Sequence, residues 1–189
     1  MAVPVPPSMI PAEPRTFDNP ATGERLVIRI SGAETGGQLL VFDLFLPPRG
    51  HVPAQHAHPT QEERFTVVDG VLRFRVGGRT IVAAAGDTVR IPPRAAHWFD
   101  NPGPLPAHAR VEVRPALRME ELLEAGTLLA HSGRFARWHI PAPAALACML
   151  LEFQQELAVP YVPPLLLRIV LRPFTWMGGA GPARRAVET

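Results

Sequence analysis

The sequence predicts an antiparallel β-sandwich or barrel followed by a short α-helical region. Three observations lead there. Short runs in which apolar and polar side chains alternate with a period of two recur between residues 25 and 114. Glycine-containing turn signals separate them, of which Asp69-Gly70 and Gly77-Gly78 are the strongest. Beyond Pro115 the apolar residues fall instead at helical spacing. Successive short strands with no helix among them indicate antiparallel pairing.

Residues 1–15 read as a proline-rich arm, with Pro4, Pro6, Pro7, Pro11 and Pro14. They lack the basic start and long apolar stretch of a secretory signal, and the cytoplasm is the expected compartment. Residues 25–30 read as a strand, and Gly36-Gly37 turns the chain into a longer one over 38–46. That second run is apolar on both faces apart from Asp43. It predicts a strand central in a sandwich or covered by a second subunit, and hence a homodimer through residues 41–46. Pro47-Pro48-Arg49-Gly50 ends it. A strand over 61–68 leads through Asp69-Gly70 into 71–76, where Leu72, Phe74 and Val76 share one face and Arg73 and Arg75 the other. Gly77-Gly78 leads into 79–84, and further strands follow over 88–91, 97–99 and 107–114. Met119, Leu122, Leu123 and Leu129 predict a helix over 117–130 that stops at Gly133. A second helix is expected over 144–157, opened by Pro143, and a third over 165–171, halted by Pro173. The expected organisation is an arm at 1–15, a β-barrel at 16–115 and a helical extension at 116–189.

At 189 residues the chain has room for one substantial core and little space for a second domain. All 19 basic residues are Arg, the net charge is +2 and the Arg residues are scattered, a pattern that argues against a nucleic-acid partner. The single cysteine, Cys148, excludes an internal disulfide and lies in an apolar helical run, where packing is its expected role. No run approaches the roughly 20 apolar residues of a membrane-spanning helix. Arg168 and Arg172 lie one helical turn apart beside Leu165, Leu166, Ile169, Val170, Phe174 and Trp176. Such a helix can rest on a membrane surface, but its shortness favours packing on the barrel or on a sister subunit.

The chemistry concentrates between residues 50 and 101. His56 and His58 are separated by one residue and therefore share a face of an extended strand. Glu63 shares a face with Phe65 and Val67, so its carboxylate sits on the apolar side, where a charge needs a partner. His97 follows one hairpin and one turn later. Three imidazoles and a carboxylate converging from separate strands make a four-ligand site for one divalent transition metal, with Fe, Mn, Ni and Zn all suited. Glu62 competes with Glu63 as the acid. Parity favours Glu63 and leaves Glu62 on the opposite face, paired with an Arg. Phe65, Val67 and Phe99 have the parity to line the lumen beside the ligands, with ordinary core as the alternative for each. Trp98 is expected to face away. His51, His108, His131 and His139 share no such register, and no Ser-His-Asp set, phosphate-cradling glycine loop or zinc-finger cysteine pair is present.

With these residues in place, the chain resembles the cupin superfamily. The first cupin motif reads here Gly50, His56, His58, Glu63 and Gly70, and the second Gly86, Pro92, Arg94, His97 and Asn101. Nine of the ten positions match, the fifteen residues between Gly70 and Gly86 suit a short linker, and the resemblance covers about half the chain. It implies a double-stranded β-helix, the jelly-roll barrel, holding a metal in its lumen. The activity it implies is metal-dependent chemistry on a small, largely apolar organic molecule, of dioxygenase type or of cyclase or isomerase type through an enolate. The alternative is a non-enzymatic cupin that senses or sequesters a small ligand. The departure is Arg94, where glycine is usual. A left-handed turn would cost Arg on the order of 1–2 kcal/mol there.

Overall fold

The computed structural model describes residues 14–52, 54–132 and 143–177, so most of the arm, Gly133 and His139 lie outside the described residues, as do the side chains of Phe174 and Trp176. Among the described residues, nine strands precede three helices. The strands are β1 Thr16–Asp18, β2 Arg25–Ile30, β3 Leu40–Leu46, β4 Glu62–Asp69, β5 Val71–Val76, β6 Arg79–Ala84, β7 Thr88–Ile91, β8 His97–Asp100 and β9 Ala107–Arg114. The helices are α1 Met119–His131, α2 Pro143–Glu152 and α3 Pro164–Met177. One sheet runs β1-β2-β3-β9-β4-β7 and the other β6-β5-β8, with every pairing antiparallel. Phe42, Leu44, Phe65, Val67, Val111 and Val113 from the large sheet meet Leu72, Phe74 and Phe99 from the small one in a single core. This is a jelly-roll barrel with a helical C-terminal region.

β3 shows why the apolar run at 40–46 exists. It lies between β2 and β9 in the large sheet, and Leu40, Phe42, Leu44 and Leu46 enter the core. On its other face, buried Asp43 accepts from Arg29 Nε at 2.7 Å and Arg110 Nε at 3.0 Å, and the Phe45 ring stacks on His108 at 4.4 Å. The chain's own arginine stems thus cover the outer face, and the run is accounted for without a second subunit.

Asp43 also sets an acid limit on stability. Burial alone would raise its carboxyl, but the Arg110 and Arg29 guanidiniums outweigh burial and hold it below the ordinary carboxylate value. A group whose folded value is depressed contributes stability above its unfolded value, about 3.9, and loses it as pH falls through the folded value. The difference in urea midpoint between the wild type and Asp43→Asn should therefore be widest at neutral pH and close below about pH 4. A difference that stayed constant with pH would contradict this.

Three expectations need correction, and one strand carries no sequence signal. β1 was not foreseen, because three residues are too few to show alternation. α2 ends at Glu152 and not at 157. Phe153 N–H donates to the Met149 carbonyl, the Phe153 carbonyl accepts from Leu157 N–H, and the chain then extends so that Ala158 pairs with Ala57. α3 runs to Met177 with Pro173 inside it. Proline removes one backbone donor, and on an exposed helix solvent can take up the freed carbonyl. The α3 side chains of Leu165, Leu166, Ile169 and Val170 are each at least 51% exposed, so this face does not pack on the barrel. No helix among the described residues is long and apolar enough to cross a membrane.

The first two helices instead close one end of the barrel. Met119 and Leu122 of α1 and Phe153, just beyond α2, are buried in the barrel core. Glu120 accepts from Arg15 and from the Ser31 hydroxyl, both at 2.6 Å, tying α1 to the strands beneath it. Gln61, fully buried, donates its amide to the Pro115 and Ala116 carbonyls at 3.0 and 2.8 Å and so fixes where the chain leaves the sheet.

Candidate metal centre

Isolated antiparallel bridges set two histidines against β8, His51 opposite Asp100 and His56 opposite His97. His56 N–H donates to the His97 carbonyl at 3.0 Å and His97 N–H to the His56 carbonyl at 2.8 Å. Opposite members of an antiparallel pair present their side chains on one face, and His58, two residues on, joins them. The ring centroids of His56 and His97 lie 4.3 Å apart, and each is 5.1 Å from that of His58. One ring nitrogen from each histidine falls within 4.8 Å of the other two. His58 and His97 are buried and His56 is half-buried, so the group is most accessible at His56.

Glu63 approaches from the facing sheet. Its Oε2 lies 3.0 Å from His97 Nε2 and 3.3 Å from His58 Nε2. The other ring nitrogen of each histidine lies against a backbone carbonyl: His56 Nδ1 at 3.1 Å from Ala54 O, His97 Nδ1 at 2.9 Å from Ala95 O and His58 Nδ1 at 2.5 Å from Glu156 O. A carbonyl only accepts, so each Nδ1 carries the proton, and in the neutral ring Nε2 carries a lone pair. Two lone pairs therefore face a carboxylate oxygen, and His58 Nε2, His97 Nε2 and Glu63 Oε2 are buried without a hydrogen-bond partner. Leaving such atoms unsatisfied costs about 1–3 kcal/mol each. Only a proton or a cation relieves the arrangement, and nitrogen with carboxylate donors fit a divalent transition ion.

The electrostatics fit the same picture. Burial alone would raise the Glu63 carboxyl, but His58 and His97 outweigh it and hold it well below the ordinary range. Burial pulls His58 down, yet the Glu63 carboxylate prevails and raises it. Burial, then the neighbouring His97 and His58, push His56 down to about 3.

The turns around the ligands explain the remaining motif residues. Asn101, fully buried, donates to the Leu46, Pro47 and Leu105 carbonyls at 3.2, 3.1 and 2.8 Å, locking the chain as it leaves β8. Arg94 adopts φ +66°, the left-handed conformation that a glycine would take, and its N–H donates to the His58 carbonyl at 2.8 Å. The turn keeps its shape and Arg bears the strain. Arg94→Gly should therefore stabilise the fold by about 0.5–1 kcal/mol, once the greater freedom of an unfolded glycine is set against the relieved strain. Urea unfolding checks this, and a loss of stability would contradict it.

Glu62 faces away and pairs with Arg90 at 2.5 Å. Trp98 lies on the outer face beneath the Arg75 guanidinium at 6.0 Å. Phe65, Val67 and Phe99 are buried in the core, and the Phe65 ring is 5.1 Å from those of both Phe74 and Phe99. A cleft of about 580 Å³ lies outside the small sheet, lined among others by Arg49, His51, Arg75 and Trp98, and involves none of those three. His108 faces Asp43, and His131 Nδ1 lies 3.0 Å from the Thr127 carbonyl. Sequence reasoning missed Glu156, whose contact with His58 spans 98 positions and uses a backbone atom that no residue type signals.

Residues 43–113 match the family model described as Cupin domain. No curated protein matches the chain. Among solved structures, it is similar to the Cnp3 cupin domain of Schizosaccharomyces pombe, with 9% identity, a TM-score of 0.45 and 49% of this chain and 64% of that chain covered. A sugar phosphate isomerase from Silicibacter pomeroyi gives 25% identity, a TM-score of 0.43 and coverage of 50% and 61%. KdgF from Halomonas sp. gives 16%, 0.47, 56% and 90%. The chain spans less than two thirds of the first two.

Proposed function

We propose, from a chain whose residues 43–113 form a cupin domain, that it acts as a metal-dependent cupin on a small, largely apolar organic molecule inside the barrel. The chemistry proposed is of dioxygenase type or of cyclase or isomerase type. The observation that carries this reading is the set of buried Nε2 atoms of His58 and His97 turned toward the Glu63 carboxylate. His56, His58, His97 and Glu63 would hold the ion. When bound, a divalent transition metal supplies Lewis acidity toward a carbonyl or enolate oxygen and, if redox-active, one-electron chemistry. The protein's own contribution is to orient these four side chains and to exclude water with Phe65, Val67 and Phe99, leaving approach on the side of His56.

The test is to load the protein with Fe, Mn, Ni or Zn and to supply small enolisable carbonyl compounds, following oxygen uptake, mass and isomeric form. Metal-dependent oxygen consumption or isomerisation supports an enzyme. The contact among Phe65, Phe74 and Phe99 favours, as a second reading, a binding cupin with a small lumen. Binding without any chemical change would select it. A cytoplasmic homodimer is part of the same proposal, since a second copy over α3 would remove Leu165, Leu166, Ile169 and Val170 from water. Sedimentation at micromolar concentration reads dimer or monomer.

A further inference from the structure

We infer that the C-terminal extension is a working part of the metal centre: the Glu156 carbonyl sets the tautomer and orientation of His58, and the pairing of Ala158 with Ala57 holds that carbonyl in place. The inference rests on the metal reading proposed above. His56 and His97 are each oriented by a carbonyl two residues earlier in their own loops, Ala54 and Ala95. His58 has no such local partner. Its Nδ1 reaches across to Glu156 O at 2.5 Å.

That carbonyl is held from several directions. Ala57 N–H donates to Ala158 O at 3.1 Å and Ala158 N–H to Ala57 O at 2.9 Å, so the extension pairs directly with the His-x-His segment through one β-bridge. Glu156 and Leu157 N–H both donate to the Phe153 carbonyl, at 3.1 and 2.8 Å, closing a turn around the residue that contacts His58. The Glu156 carboxylate, itself buried, accepts the Arg118 N–H at 3.1 Å at the entrance to α1. Arg118 in turn lies 4.9 Å over the buried Phe153 ring and pairs with Glu152 at 2.9 Å. A loose tail would need none of this. A second partner on a ligating imidazole fixes which nitrogen carries the lone pair, and its loss costs about 10–100-fold in metal affinity.

The test is a cobalt(II) titration of full-length variants, followed by visible absorption. Ala158→Pro removes the N–H that bonds Ala57 and should lower cobalt affinity about 10–100-fold and shift the absorption bands, because His58 is no longer held in one orientation. Leu150→Ala, a truncation of a buried side chain in α2 that takes part in none of these hydrogen bonds, should lower stability and leave the cobalt spectrum and affinity unchanged. Glu156→Gln keeps both the carbonyl and an acceptor for Arg118 and should behave as the wild type. Should Ala158→Pro not fold, Glu156→Ala takes its place, and a several-fold loss of affinity there, restored in Glu156→Gln, supports the inference. No loss in whichever variant folds overturns it. Wild-type protein that takes up no cobalt overturns both the metal reading and this inference, whereas equal binding by wild type and Ala158→Pro overturns the inference alone.

Discussion

His58→Ala is expected to reduce the metal content of reconstituted protein from about one ion per chain to near zero. The imidazole is buried, its Nε2 lies 3.3 Å from Glu63 and its Nδ1 is held by Glu156. Removing it takes away a ligand, strips Glu63 of one of its two neighbours and leaves the Glu156 carbonyl without its donor. The affinity loss should therefore exceed the roughly 10–100-fold that follows from disturbing an outer partner alone. His108→Ala is the control, because His108 sits against Asp43 on the outer face and should not alter metal content. Elemental analysis after dialysis decides. An unchanged metal content in His58→Ala would mean that the ion, if any, sits elsewhere.

Phe74→Ala is expected to cost about 3–5 kcal/mol of folding stability. Phe74 has no exposed surface, and its ring lies 5.1 Å from Phe65 and 5.7 Å from Phe99 at the centre of the barrel. Truncation forfeits the transfer energy of the ring and leaves a cavity between two sheets too regular to collapse into it. Urea unfolding measures the loss. A cost below about 1 kcal/mol would mean that the aromatic trio is not close-packed, and the lumen would then have more room for a ligand than these contacts leave.

Much of the barrel was legible because each strand carries its own record of which face is buried. Leu72, Phe74 and Val76 alternate with Arg73 and Arg75, and the positive-φ glycines at 70, 77 and 78 mark the hairpins. The same period of two placed His56 beside His58 and put Glu63 on the inner face with Glu62 outside. Where periodicity fell silent, the reading drifted. Residues 144–151 are apolar throughout and residues 152–157 contain no glycine or proline, so no helix breaker marks the end of α2 at Glu152, and the pairing of Ala158 with Ala57 takes over the chain there. The apolar run of β3 suggested a partner subunit because arginine stems arriving from Arg29 and Arg110 leave no trace in that strand's own pattern. Pro173 reads as a stop in the sequence, yet it removes only one donor, and α3 keeps its bonds on either side of it. Arg94 was the position where composition and geometry disagreed, and the turn kept its geometry.

Zinc K-edge X-ray absorption on zinc-loaded, dialysed protein tests the central claim most directly. The arrangement of His56, His58, His97 and Glu63 predicts a shell of imidazole nitrogens at about 2.0–2.1 Å, with the multiple-scattering signature of three rings, and a carboxylate oxygen at about 2.0–2.2 Å. A spectrum without imidazole scattering, or protein that retains no zinc after dialysis, would contradict it.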